Sequence, residues 1–127
     1  MSNRPNQAKF RKILLKGAQR CEATLCELLF ALDIAHIKPY HLCNEEEKKD
    51  PHNLLLLTAS VHRVFDAGYV SFDETGNILI SYKFDQWELP CIGLKGNERI
   101  AMPGRRNLYL KYHRENIFKN GTEYIKI

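Results

Sequence analysis

The sequence predicts an α+β fold. An antiparallel β-hairpin is capped by a short helix, flanked by N- and C-terminal helices, and followed by an extra β-hairpin. Three observations predict it. Residues 30–38 alternate like a strand and stop at Pro39. The run LLLL at 54–57 is too short for a helix and suits a buried strand returning antiparallel to the first. Thr58 or Ser60 then offers a cap to a short helix over 60–66, with Gly68 to close it.

The elements follow in order along the chain. Residues 7–16, QAKFRKILLK, place Phe10, Ile13 and Leu14 on one helical stripe, and Gly17 is the stop. Residues 22–30 are apolar and fit a helix or a loop equally well. In the first strand Leu32, Ile34 and His36 share one face, while Asp33, Ala35 and Ile37 share the other. Residues 40–52 read as a polar loop whose charge run, EEEKKD, is a solvated surface. YVSFD and NILISY flank the turn residues Glu74, Thr75 and Gly76, which predicts the second hairpin. Residues 85–104 hold Pro90, Gly93, Gly96, Pro103 and Gly104, as an ordered loop with short strands would. Residues 107–118 read as a closing helix with Leu108, Tyr112 and Ile117 turned inward. No repeat or low-complexity segment interrupts this order.

At 127 residues the chain fits one domain spanning 1–127. Folding would bury about two-thirds of the unfolded surface, enough for a modest core. A composition 44% hydrophobic and 27% charged is ordinary for a soluble globular protein. No apolar run is long enough to span a membrane. The N-terminus MSNRPNQAKFRK lacks an apolar signal core, so a cytoplasmic location is expected. Cys21, Cys26, Cys43 and Cys91 then read as thiols in a reducing compartment. Cys21 and Cys26 are spaced more widely than the usual zinc knuckle. With Cys43 and a His they make a structural zinc site an alternative.

The net charge of +4 is mild, but its distribution is uneven. Residues 1–20 carry Arg4, Lys9, Arg11, Lys12, Lys16 and Arg20 with no acid. Residues 104–119 carry Arg105, Arg106, Lys111, Arg114 and Lys119 against Glu115. Two basic ends suit a polyanion, and equally suit an ordinary solvated face.

The polar side chains of the central segment are few and oddly placed. They occur in AHIKPY around His36, DPHNLLLL around Asn53 and VHRVFD around His62. These three pieces resemble the HNH, or ββα-metal (His-Me finger), endonucleases, and most of all the subgroup of restriction and defence systems. Gln7 with Phe10 and Arg11, then Cys21 with Cys26, extend the likeness upstream, and GLKGNERIAMP and KYHRENIF extend it downstream. The likeness covers most of residues 6–118, with the ββα-metal core at about 30–68.

The resemblance implies a divalent-metal-dependent endonuclease acting on double-stranded DNA. It implies His36 as the general base that deprotonates the attacking water. Asn53 would steady the catalytic loop and orient His36, and His62 would be a metal ligand. Many members carry an acid or a second His just before the base, but here Ala35 stands there and ligates nothing. Asp66, four residues after His62, projects from the same helical face and is the candidate second ligand. Asp33 ranks below it, because strand alternation points it away from His36. Few protein ligands suit Mg²⁺, which keeps its waters, with Mn²⁺ or another divalent ion as a substitute. Leu54 stands where a glycine often follows the Asn, and does not touch the chemistry.

Arg11 and Arg63 are the candidate phosphate clamps. His41, His52 and His113 read as solvated or as phosphate contacts, and Trp87 as core or loop packing. One active site cuts one strand, so a double-strand break requires a homodimer or two encounters. The competing reading, kept open by Ala35, is an HNH-fold DNA-binding module with weakened catalysis.

Overall fold

The computed structural model describes residues 20–119. The expected helix over 7–16, and Arg11 within it, lie outside the described residues. Among the described residues, two antiparallel two-stranded sheets and three α-helices are joined by short 3₁₀ turns. Strand β1 spans Leu32–His36, and β2 spans Leu54–Thr58. Their register sets Asp33 opposite Leu57, Ala35 opposite Leu55 and His36 opposite Leu54. Both expected strands of the first hairpin are therefore present and paired as read.

The connection between them departs from a plain polar loop. Helix α1, Glu45–Lys49, forms from the charge run itself. Asn44 and Glu47 build a reciprocal capping box, each side chain bonding the other's backbone N–H at 2.8 and 2.9 Å. Glu45, Glu46 and Glu47 lie in the first turn, Lys48 and Lys49 in the last. This order complements the helix dipole and lets a helix of five residues persist.

Helix α2, Ala59–Asp66, follows β2 with no intervening loop. Thr58 takes the N-cap position, although its side chain makes no cap bond. Val61 and Phe65 are buried one turn apart, pinning α2 over the hairpin. Past its end Gly68 adopts φ +86, and any Cβ there would strike the carbonyl of Ile117. Strands β3, Val70–Phe72, and β4, Ile78–Ile80, form the second hairpin around the expected turn. Asp73 stabilises that turn by accepting from the N–H groups of Thr75 and Asn77. The segment after β4 forms a 3₁₀ helix, Gln86–Ile92, and a lone bridge between Asn77 and Arg99.

Helix α3, Arg106–Asn116, closes the fold, with a different face inward from the one expected. Tyr109, Leu110 and His113 are buried, whereas Leu108 is 63% exposed. Polar partners at the inner face select this rotation. Tyr109 reaches Asp50, and His113 reaches Ser71 and the Phe65 carbonyl. The core gathers Leu54 to Leu57, Ile34, Ile37, Val61, Phe65, Phe72, Leu94 and Leu110. All four leucines of the run are buried, the pattern of a strand covered on both faces.

The outer edge of β2 would leave unpaired backbone groups, which invite pairing with another chain. Glu22 and Arg106 cover it. Glu22 bonds the N–H and the carbonyl of Leu56 with its carboxylate and backbone N–H. Arg106 donates to the carbonyl of Leu54 at 3.1 Å and to Glu22 at 2.7 Å. Trp87 is not packed in a core, being 87% exposed. Among the described residues no helix is long and apolar enough to cross a membrane.

Candidate active site

His36 ends β1 and is nearly buried. Its Nε2 lies 3.1 Å from the carbonyl of Lys48, at the end of α1. A carbonyl only accepts, so Nε2 carries the hydrogen and Nδ1 of the neutral ring is the basic nitrogen. Tyr40 packs against the ring edge-on, with centroids 5.1 Å apart. The imidazole is thus held from two sides by the segment that the sequence marks as a polar loop.

Asn53 is fully buried where β2 begins. Its side-chain oxygen accepts from the N–H of Lys38 at 2.9 Å, and its Nδ2 donates to the carbonyl of Glu47 at 3.1 Å. Nδ2 also lies 3.4 Å from Cys43 Sγ. One carboxamide therefore ties the chain just after β1 to α1. The carbonyl it holds is the neighbour of the one that meets His36. Asp50 fastens the same segment to α3. Its buried carboxylate accepts from Tyr109 at 2.6 Å, from Arg105 at 2.8 Å and from the N–H of His52 at 2.9 Å. Burial works against that charge, but these donors prevail and hold its pKa below the ordinary carboxylate value. Burial and the Asp50 carboxylate push the Tyr109 phenol up to about 12.

His62 lies between two carboxylates. Asp33 Oδ2 is 3.0 Å from its Nδ1, and Asp66 Oδ2 is 3.0 Å from its Nε2. Burial opposes a positive ring, yet Asp66 and Asp33 outweigh it and raise the pKa above the ordinary 6.5. His36, His62 and Asp66 line one cavity of about 260 Å³, with Tyr40, His41 and His113 among its other walls. Asp33 is not part of that lining. It does point away from His36, as alternation requires. However, α2 lies over that same face of β1, so the side chain meets His62 instead.

The donor set fits a hydrated divalent ion held by few protein groups. His62 Nε2 and Asp66 Oδ2, 3.0 Å apart where both residues line the cavity, are the groups that would hold it, with water completing the shell. Among the described residues no group of three or more His, Cys, Asp or Glu side chains is arranged to hold a metal. The cysteines of the zinc alternative are engaged separately. Cys21 Sγ accepts from the backbone of Thr24 and Thr58, whereas Cys43 lies against Asn53 and the carbonyls of Lys38 and Pro39.

The remaining candidates divide. Arg63 is exposed on α2, next to His62. His41 is exposed at the cavity rim, and His52 sits beside Asp50. His113 is neither solvated nor a surface contact. It is buried, bonded at both nitrogens, and pushed down to about 4 chiefly by that burial. The C-terminal basic cluster is partly spent on structure. Arg105 pairs with Asp50, Arg106 with Glu22, and Arg114 bonds the carbonyl of Phe72. Sequence reasoning missed the capping box, although Asn44 and Glu47 carry its spacing. It missed the partnership of Asp33 with His62 because no local period encodes it.

Two strands followed directly by a helix, with His36, His62 and Asp66 around one cavity, define the ββα-metal class of fold. Residues 16–73, which include all three elements, match the sequence model of the family described as HNH endonuclease. Over those residues the chain is similar to the HNH endonucleases. No curated protein matches it. Among solved structures, the chain is similar to a modification-dependent TagI restriction endonuclease, with a TM-score of 0.53 at 20% identity. The match covers 88% of this chain and 36% of that one, so the chain spans about a third of that enzyme's length. At this identity the likeness establishes a shared fold.

Proposed function

We propose that this chain is a divalent-metal-dependent endonuclease domain that hydrolyses phosphodiester bonds of double-stranded DNA, in restriction or anti-phage defence. The observation that carries the reading is the single cavity lined by His36, His62 and Asp66 inside a ββα core. His36 acts as the general base. Its Nε2–H is anchored on the Lys48 carbonyl, and Nδ1 takes the proton from the attacking water. Asn53 acts through the loop it ties down, bonding the Glu47 carbonyl next to that of Lys48. His62 and Asp66 hold Mg²⁺ or another divalent ion. When bound, such an ion supplies positive charge to the phosphate and the leaving oxygen. Exposed Arg63 contacts a DNA phosphate beside the site and contributes to the salt-sensitive share of affinity.

The test is plasmid nicking in Mg²⁺, compared with EDTA and with His36→Ala. Cutting that both controls abolish, with DNA binding retained in the variant, supports the reading. Ala35, wholly buried where a ligand often stands, favours the second reading of a DNA-binding module with weakened catalysis. Salt-sensitive binding without nicking in Mg²⁺ or Mn²⁺ would select it. Gel-filtration and cleavage stoichiometry decide whether a homodimer makes the double-strand break.

A further inference from the structure

We infer that Asp33 is a positioning residue for the metal ligand His62. This deepens the nuclease reading and rests on it. The imidazole has two nitrogens and one carboxylate on each, both at 3.0 Å. The two carboxylates are not equivalent. Asp66 lines the cavity that His36 also lines, and Asp33 does not. The side chain of Asp66 is 57% exposed, whereas that of Asp33 is 22% exposed, on the far side of the ring. The ion therefore belongs on the Nε2 side, with Asp66. Asp33 accepts the hydrogen of Nδ1.

A neutral imidazole carries one hydrogen, and its position decides whether the ring can ligate. With that hydrogen on Nδ1, the lone pair sits on Nε2 and faces the cavity. Without Asp33, the Asp66 carboxylate draws the hydrogen to Nε2 and blocks the nitrogen that the ion needs. The Asp33 charge also makes the ring a better donor, the usual effect of a carboxylate behind a ligating histidine. The placement has a structural origin. Ala35 shares the face of β1 that carries Asp33, and an extended chain repeats every two residues. The acid two residues before Ala35 thus meets the helix that bears His62, and serves as support instead of ligand.

The experiment measures Mn²⁺ binding by calorimetry to the full chain and to Asp33→Asn, Asp33→Ala and His62→Ala. Thermal melting checks that each variant is folded. Asp33→Ala should weaken Mn²⁺ binding roughly ten- to a hundred-fold. Asp33→Asn, which keeps an acceptor for Nδ1–H but no charge, should lose less. In metal-free protein with a neutral ring, ¹⁵N NMR of His62 should move toward the Nε2–H tautomer in Asp33→Ala. A role in packing alone would move neither readout. Folded Asp33 variants with unchanged affinity and tautomer overturn the inference while leaving the nuclease reading intact. Wild-type protein that binds no Mn²⁺, or His62→Ala that binds as well as wild type, overturns both. The isosteric Asn variant keeps the test decisive if Asp33→Ala does not fold.

Discussion

The ring of His113 lies flat against that of Phe65, with centroids 3.9 Å apart and planes 6° from parallel. His113 Nε2 donates to the carbonyl of Phe65 at 2.9 Å, and Nδ1 accepts from the Ser71 hydroxyl at 2.8 Å. The contact joins α3 to α2, the helix that carries His62 and Asp66. A core residue therefore sets the position of the cavity wall.

That contact predicts an acid limb in stability. Burial, the largest cause, depresses the His113 pKa from 6.5 to about 4. The unfolded chain then binds more protons between those values, so stability falls as pH drops through that window. The loss should be on the order of 3 kcal/mol by pH 4, from a shift of that size. Urea melts across the window should show it, with a shallower slope in His113→Gln. Asp50, whose pKa is depressed by its donors, adds a further loss as pH falls through its folded-state value.

Asn53→Ala removes the partners of two backbone groups at once, the N–H of Lys38 and the carbonyl of Glu47. An orphaned buried group costs about 1–3 kcal/mol, so the variant should lose about 2–6 kcal/mol. Denaturant melts measure that loss. Nicking should fall with DNA affinity nearly unchanged, because the loop that holds His36 loosens while the basic surface remains.

Glu22 and Arg106 form a nearly buried ion pair at 2.7 Å on the edge of β2. Glu22→Ala strands the guanidinium and leaves the N–H of Leu56 without its acceptor. A loss of about 3–5 kcal/mol is expected, as for other broken buried pairs. Replacing both, with Glu22→Leu and Arg106→Met, should cost less than the single change. Chemical denaturation of Glu22→Leu, Arg106→Met and the double variant closes the cycle.

His62 predicts opposite pH behaviours with and without metal. Its folded-state pKa is raised above 6.5 by Asp66 and Asp33, against burial. The stability this contributes is complete below the unfolded value and is lost as pH rises through the folded one. Thermal melts in EDTA should therefore soften across that range, and less so in His62→Gln. Mn²⁺ must displace the ring proton, so its affinity should climb over the same range. Titrations at several pH values check both directions.

Much of this was legible in the chain itself. The alternation through His36, the apolar run at 54–57 and the Gly68 stop are local patterns, and the hairpin and helix formed where they indicated. The motifs around His36, Asn53 and His62 stood out for the same reason, each being a polar exception in an apolar run, and His36 and His62 came to line one cavity. The charge run at 45–50 was harder. Its composition reads as solvent-facing, whereas the capping geometry of Asn44 and Glu47 turns it into a helix. The closing helix misled through Leu108, because partners on other elements, Asp50, Ser71 and Phe65, chose the inward face.

Sequence by itself determined the order of strand, strand and helix, and which polar side chains stand out from them, since backbone preference and hydrophobic period act over a few residues. Only the tertiary structure decided the pairings: Asp33 and Asp66 on the two nitrogens of His62, Arg106 on the edge of β2, and His113 in the core instead of on the surface. Those contacts join residues dozens of positions apart. Which of them form depends on how whole faces pack, and on satisfying every charge that the packing buries.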